Sequence, residues 1–192
     1  MAIKRIWDVT AASVLLALTG SLMVMIALAI KLDSKGTAIF KQERVGRYGA
    51  PFTLYKFRTM HADSDPLGPS PVSVEDQRIT RTGRFLRKFQ LDELPQLYNI
   101  LKGDMSFVGP RPQLEVELEE LKGEHDGLLE KRLTVPPGLT STWAIAEELV
   151  NTKPSVDMLD LDSRYVDEFG LRTDAKILAQ TMIYLLAKVR SR

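Results

Sequence analysis

Residues 9–30 read VTAASVLLALTGSLMVMIALAI, a run with no charged side chain. A helix of roughly 20 apolar residues spans a hydrocarbon core, so the use made of this run decides the architecture. Lys4 and Arg5 precede it; Lys31, Lys35, Lys41 and Arg44 follow. Three uses are open. A secretory signal fits the small-x-small site Ala27-Leu28-Ala29, but the apolar stretch is long for that role and Asp8 sits at its edge. A plain spanning helix fits hydropathy alone. A helix that enters and turns back fits Thr19-Gly20-Ser21 in mid-run, because glycine weakens a helix and hydroxyls satisfy freed backbone groups. Cations at both ends favour the third use. A spanning helix would leave one cluster outside, whereas a re-entrant one keeps both on one face.

The rest of the chain bounds the chemistry. Its 192 residues hold one good core, or one domain with an appendage. The formal charge of +1 provides no field for nucleic acid. With no cysteine there are no disulfides and no thiolate metal sites. His61 and His125 are the only histidines and lie far apart in sequence, which argues against a zinc centre.

After the turn Asp33-Ser34-Lys35-Gly36, Ala38-Ile39-Phe40 and Phe52-Thr53-Leu54-Tyr55 have strand chemistry, and residues 45–49 (VGRYG) supply a hairpin connection. Residues 61–77 are Pro-rich, polar loop. Helices are predicted starting after Thr82-Gly83, over Leu94–Leu101 with a stop at Gly103, and over 113–133 with a break near Gly123. Met105–Pro112 reads as a tight loop and Pro136-Pro137-Gly138 as a hard turn. From Asp174 to Val189, the apolar positions Ile177, Leu178, Met182, Leu185, Leu186 and Val189 recur at helical spacing with Thr181 among them. That stripe predicts core packing, with membrane docking as the alternative. Lys188, Arg190 and Arg192 suit its C-terminal end.

The chemistry concentrates near LDELPQ, residues 91–96. Asp92 is the natural N-cap if a helix starts at Glu93, with Pro95 in its first turn. A carboxylate there is held ionised by the helix end, and an ionised Asp among arginines can bind Mg²⁺ or attack phosphorus. Cap and catalyst are compatible, and the pattern alone does not choose between them. Arg78, Arg81, Arg84 and Arg87 precede the stretch, and Arg111 follows between the prolines of GPRP, 109–112. Guanidinium forks suit phosphate oxygens, and the flanking prolines restrict the backbone that carries Arg111. There is no GxxxxGK[ST] loop, no GxGxxG, no GxSxG and no kinase set, so ATP-driven phosphoryl transfer of the common kinds is unsupported.

Four segments together resemble the bacterial sugar transferases, the small monotopic phosphoglycosyl transferases. They are KRIWDVTAA (4–12), KQERVGRYGAPFTLYKFRTM (41–60), ITRTGRFLRKFQLDELPQLYNILKGDMSFVGPRP (79–112) and VPPGLTSTW (135–143). The resemblance covers most of the chain. It implies an α+β fold: a re-entrant helix–break–helix over 1–32, then a cytoplasmic catalytic domain over 33–192. That domain would hold a small β-hairpin region and short and amphipathic helices around the site, the amphipathic ones membrane-associated. It implies transfer of a phosphosugar from a UDP-sugar to polyprenyl (undecaprenyl) phosphate, with release of UMP, at the inner membrane. Asp92 would bind Mg²⁺ and attack the β-phosphate, and Glu93 would assist. Arg87 and Arg111 match arginines near the phosphates, Lys56 and Arg58 match positions at the site's edge, and Arg132 stands in for a basic residue beside the VPPG turn. Expected partners are the donor, the lipid acceptor and membrane lipid, not nucleic acid, with a homodimer left open. The alternative is a non-catalytic membrane-anchored partner of a glycan assembly complex. Two departures stand out. Thr19-Gly20-Ser21 lacks the proline that members often carry at the helix break, and residues 144–151 lack the usual Gln-Val-x-Gly-Arg.

Overall fold

A computed structural model describes residues 2–64, 76–123, 125–142 and 156–190 of the chain. It opens with helix α1, Ala2–Asp33, which runs without interruption through Thr19-Gly20-Ser21 where a break was expected. The Thr19 hydroxyl donates to the Leu15 carbonyl at 2.7 Å, the back-bond by which a hydroxyl residue is accommodated inside a helix. At 1.5 Å per residue α1 is about 48 Å long, and by length and composition it could cross a membrane.

Both ends of α1 are fastened to the rest of the chain. At the start, Lys4 is buried and its Nζ donates to Asp174 at 2.5 Å and to the Val108 carbonyl at 3.3 Å. Arg5 donates to the Ile100 and Leu101 carbonyls at 2.5 and 2.7 Å, and Asp8 accepts from the Phe107 N–H at 3.2 Å. Lys4 and Arg5 therefore do more than bias orientation as free charges. At the far end, Ile26 and Ile30 are buried with Ala38, Phe57 and Leu86. Each such isoleucine is worth roughly 2 kcal/mol of hydrophobic stabilisation. Val14, Leu18, Val24, Met25, Leu28 and Leu32, on the opposite side, are exposed.

The predicted hairpin is present. Strands β1 (Ile39–Val45) and β2 (Pro51–Phe57) pair antiparallel, from Ile39 opposite Phe57 to Val45 opposite Pro51. A 3₁₀ turn at Arg47–Gly49 joins them, with positive φ at Tyr48 (59°) and Gly49 (76°). Alternation on β2 turns Phe52 and Leu54 inward, and Lys56 follows on the same face. Helix α2 covers Arg81–Lys88 and starts before Thr82-Gly83, because the Thr80 hydroxyl caps it by accepting from the Gly83 N–H at 2.9 Å. Helix α3 covers Gln96–Lys102, two residues later than predicted at its start, and ends on Gly103 at φ 100°. Asn99 locks α3 to β2: its amide donates to the Thr53 carbonyl (2.7 Å) and accepts from the Tyr55 N–H (3.1 Å).

The loop reading of Met105–Pro112 needs correction. Ser106–Val108 is a strand, β3, paired in parallel with β4, Gly138–Thr140. Between them lie α4 (Glu115–Glu119) and α5 (Asp126–Arg132), separated as expected near Gly123, which has φ 103°. Helices α6 (Val156–Asp167) and α7 (Leu171–Arg190) complete the fold. The main core joins Ala12, Phe52, Leu54, Leu97, Ile100, Phe107, Val108 and Ile177. On α7, Asp174 and Ile177 are buried and Leu178 packs on the core, but Met182 and Leu186 are exposed, so only one edge of the predicted stripe is core. The middle of the 61–77 loop, the 144–151 departure and the side chains of Lys188 to Arg192 lie outside the described residues.

Candidate active site

The chain leaves α2 through Gln90, which takes a left-handed conformation (φ 53°), and passes into a 3₁₀ turn, Leu91–Glu93. Asp92 therefore sits within a tight turn, and Pro95, not Asp92, occupies the cap position of α3. This corrects the expected N-cap. A non-glycine residue held at positive φ is strained, and such strain gathers at functional sites.

The turn lays Asp92 and Glu93 against β2. Lys56 Nζ donates to Glu93 Oε1 at 2.9 Å. Burial opposes the charged form of Glu93, but Lys56 and Arg111 outweigh it and its pKa is lowered. Asp92 behaves oppositely. Burial and the neighbouring Glu93 push its pKa up, against the pull of Lys56 and Arg87. A backbone N–H also pulls it down, but the net shift is upward, opposite to the one expected of a helix end. The two acids thus titrate apart, the pattern by which adjacent carboxyls take different roles.

Beside them opens a cleft. Lys56, Glu93, Gln96, Arg111 and Arg44 line it, with Gly138 to Ser141 along one wall. Arg44 lies opposite Phe52 in the hairpin register, on the face that carries Leu54 and Lys56. Its guanidinium pairs with Glu117 (3.3 Å) and donates to the Pro112 carbonyl (3.2 Å). Burial and the nearby Arg111 lower its pKa, with Glu117 opposing. Two guanidiniums and an ammonium around one opening form an anion-attracting site. Gln96 is buried, and its Nε2 has no hydrogen-bond partner among the described residues.

Arg111 is fixed through its backbone. Its carbonyl accepts from Arg132 Nη2 at 2.6 Å. The Gly109 N–H donates to the Thr140 carbonyl (3.1 Å) and the Gly138 N–H to the Pro110 carbonyl (2.9 Å). The two backbones cross so closely that a Cβ on Gly138 would lie 2.1 Å from the Gly109 nitrogen. Backbone cannot yield as a side-chain tip can, so Gly138→Ala is expected to cost about 3 kcal/mol. Thermal unfolding in detergent measures this, and an unchanged midpoint would contradict the crossing.

Arg87 faces Asp92 electrostatically and donates from Nε to the Thr59 hydroxyl at 2.8 Å. Thr59→Val, which keeps the shape and removes the acceptor, should lower kcat/KM about tenfold, and Thr59→Ser should stay within about twofold. Equal losses in both variants would show that the hydroxyl does not orient Arg87. The other arginines are engaged elsewhere or face outward. Arg78 pairs with Asp76 at 2.7 Å, and hydrogen bonds from Arg78 hold Asp76 down to about 2. Arg81 and Arg84 are exposed.

Two expected phosphate ligands lie apart from this cleft. Arg58 is buried and donates to the Lys35 carbonyl (2.6 Å) and to the Ser34 carbonyl and hydroxyl (2.9 and 2.8 Å), clamping the exit of α1. Arg132 is buried against Asp162 at 2.9 Å and acts on the site only through the Arg111 carbonyl. The structure brings together Lys56, Arg87, Asp92, Glu93 and Arg111, and adds Arg44 and Gln96, which sequence reasoning did not place at the site. Arg44 was legible only as a charge in a basic stretch, and Gln96 only as a helix residue.

Among the described residues no three His, Cys, Asp or Glu side chains converge as a metal cage. The donor set still fits Mg²⁺, which takes one or two carboxylates and completes its shell with water and substrate phosphates. Burial first, and repulsion from Glu93 second, raise Asp92, and a divalent cation would offset both.

The family described as bacterial sugar transferase matches residues 1–188. A UDP-glucose:undecaprenyl-phosphate glucose-1-phosphate transferase of Caulobacter vibrioides is 41% identical over 190 residues, covering 95% of this chain and 69% of that protein. The galactosyl transferase CpsE of Streptococcus agalactiae is 37% identical over 194 residues, 95% of this chain and 42% of the relative. A UDP-glucose:undecaprenyl-phosphate glucose-1-phosphate transferase of Escherichia coli is 35% identical over 184 residues, 94% and 39%. The chain thus spans less than half the length of two of these three relatives. It belongs to the bacterial sugar transferase family.

Proposed function

We propose that the chain transfers a sugar phosphate from a UDP-sugar to a polyprenyl phosphate, as the first membrane step of a surface glycan. The observation that carries this is the Asp92–Glu93 pair beside Lys56, Arg87 and Arg111, in a domain fastened to both ends of an apolar helix. A carboxylate nucleophile among cations suits displacement at phosphorus, and a membrane helix suits a lipid acceptor.

In this reading Asp92 attacks the β-phosphorus of the donor. The bond from that phosphorus to the bridging oxygen breaks, UMP leaves, and an aspartyl phosphosugar forms. A phosphate oxygen of the lipid then attacks the same phosphorus, freeing Asp92 and giving the lipid diphosphosugar. Splitting one displacement into two is the gain of covalent catalysis. Mg²⁺, held by Asp92 and substrate phosphate oxygens, would neutralise phosphate charge. Arg111 and Arg87 bind phosphate oxygens, and Lys56 keeps Glu93 ionised and in place. Dense positive charge stabilises charge developing on the leaving group.

The proposed topology is monotopic. A spanning α1 would carry Lys4 to the far side of the bilayer, yet Lys4 is bonded to Asp174 of the same domain that Asp33 contacts through the Thr82 N–H. In this reading both ends of the helix stay on one side, and the catalytic domain lies on the cytoplasmic face of the inner membrane.

The test is incubation of the detergent-solubilised chain with Mg²⁺, a panel of labelled UDP-sugars and polyprenyl phosphate. UMP release with a labelled lipid supports the reading. UMP with free sugar phosphate indicates a hydrolase. A folded protein that releases no UMP from any donor is the non-catalytic assembly partner instead.

A further inference from the structure

Glu93, Gln96 and Asn99 recur at a spacing of three as the chain leaves the Asp92 turn, so they share one side of it. The backbone between them keeps helical turns. The Leu94 N–H donates to the Leu91 carbonyl at 3.3 Å, and the Leu97 N–H to the Leu94 carbonyl at 3.1 Å. The outer two residues have partners on β2. Glu93 accepts from Lys56 Nζ, and Asn99 bonds the Thr53 carbonyl and the Tyr55 N–H. The middle one is different. Gln96 is 3% exposed, and its Nε2 has no hydrogen-bond partner among the described residues. The β2 side chain that shares the cleft wall with it is Leu54, which cannot accept a hydrogen bond.

A buried amide donor without a partner is destabilising, and native folds hold few of them. An apolar side chain of similar size would suit Leu54 better. Gln96 nevertheless lines the cleft, and the cleft has two parts. Arg44, Lys56 and Arg111 carry charge, whereas Leu54, Gln96 and the buried Ser141 are neutral.

We infer that Gln96 holds the transferred sugar, its Nε2 donating to an uncharged oxygen of the ring substituents. Charge selects this occupant over a phosphate. Guanidinium and ammonium groups bind phosphate oxygens more strongly than a neutral amide does, and the cleft already supplies them. A buried neutral donor discriminates instead among uncharged acceptors, because a ligand lacking the acceptor leaves it unpaired. Position agrees. Gln96 follows Asp92 by four residues, about one helical turn. The sugar is bonded directly to the phosphorus that Asp92 would attack, so it is the nearest uncharged group of the donor. It also stays on the enzyme through both displacements, whereas UMP leaves after the first, so one contact serves both steps. The inference deepens the proposed transfer from a UDP-sugar and rests on it.

The test compares a ligand that has the sugar with one that lacks it. Full-length parent, Gln96→Leu and Gln96→Met are assayed in detergent with Mg²⁺ and polyprenyl phosphate. The donor is whichever of UDP-glucose, UDP-galactose and their N-acetylamino counterparts the parent uses best. UDP serves as the competing ligand without a sugar. Both variants should lose about 10- to 100-fold in kcat/KM for the donor, while the inhibition constant of UDP stays within about twofold. Both should melt at or above the parent, since the amide has no bond within the fold to lose. Equal weakening of UDP and donor would place the amide on the nucleotide or its phosphates and overturn the inference. Unchanged kcat/KM would show that Gln96 does not touch the donor. Lowered melting of both variants would show that the amide is bonded within the fold, which also overturns it. A parent that turns over no UDP-sugar contradicts the transferase reading itself, and the inference falls with it.

Discussion

Asp92→Asn should reduce sugar-phosphate transfer about a thousandfold or more. The amide keeps the size of the side chain and its place in the 3₁₀ turn, but it is a far weaker nucleophile and a poor ligand for a hard cation. Losing a nucleophile costs rate on this scale because the remaining groups act with it as a unit. Donor contacts should largely survive, since Lys56 bonds to Glu93, Arg44 bonds to the Pro112 carbonyl, and the Arg111 backbone is held by Arg132. The assay follows kcat for UMP release together with donor binding by calorimetry. A loss below about tenfold in kcat, with binding unchanged, would move the nucleophile elsewhere. Glu93→Gln should do less to the chemical step and more to the geometry, because it removes the ionised partner of Lys56.

The second large effect is on stability. Lys4→Met should cost about 3–5 kcal/mol and lower Tm by roughly 10 °C. Lys4 and Asp174 are both buried, and the Tyr165 hydroxyl lies 2.9 Å from Asp174 Oδ1 and from the Val108 carbonyl. Burial first, and Asp174 second, keep the Tyr165 phenol protonated. Removing the lysine leaves an uncompensated carboxylate in the core. The double change Lys4→Met/Asp174→Leu should recover most of the loss, since it removes both charges and keeps the volume apolar. Val108 directly precedes Gly109-Pro110-Arg111-Pro112, so the single variant should also loosen Arg111 and raise the donor KM. A Lys4→Met protein that melts within about 1 kcal/mol of the parent would show that the pair does not fasten α1.

The sequence was readable where local chemistry punctuates it. The apolar run predicts α1, strand residues around a Gly-rich connection predict the hairpin, and Gly103 and Gly123 mark a helix end and a helix break. What was hidden depends on partners distant along the chain. Lys4 reads as a flanking cation because Asp174, which buries it, is 170 positions away. Arg58 and Arg132 have the residue type of a phosphate ligand, but buried carbonyls at Ser34, Lys35 and Arg111 claim their donors first. Three-residue strands such as β3 and β4 carry no periodicity, and their pairing rests on a close approach between Gly109 and Gly138. Asp92 looked like an N-cap because Gln90 gives no sign in sequence of its left-handed turn. The continuity of α1 through Thr19-Gly20-Ser21 was equally hidden, since Thr19 satisfies a helical carbonyl rather than a break.

Intact-protein mass spectrometry after incubation with Mg²⁺ and a UDP-sugar, without lipid acceptor, tests the central claim most directly. A mass gain of one sugar phosphate, located to the peptide that carries Asp92, absent in Asp92→Asn and discharged by polyprenyl phosphate, is the expected result. A protein that turns over donor and acceptor together but never carries the adduct, or carries it on another residue, would contradict the account.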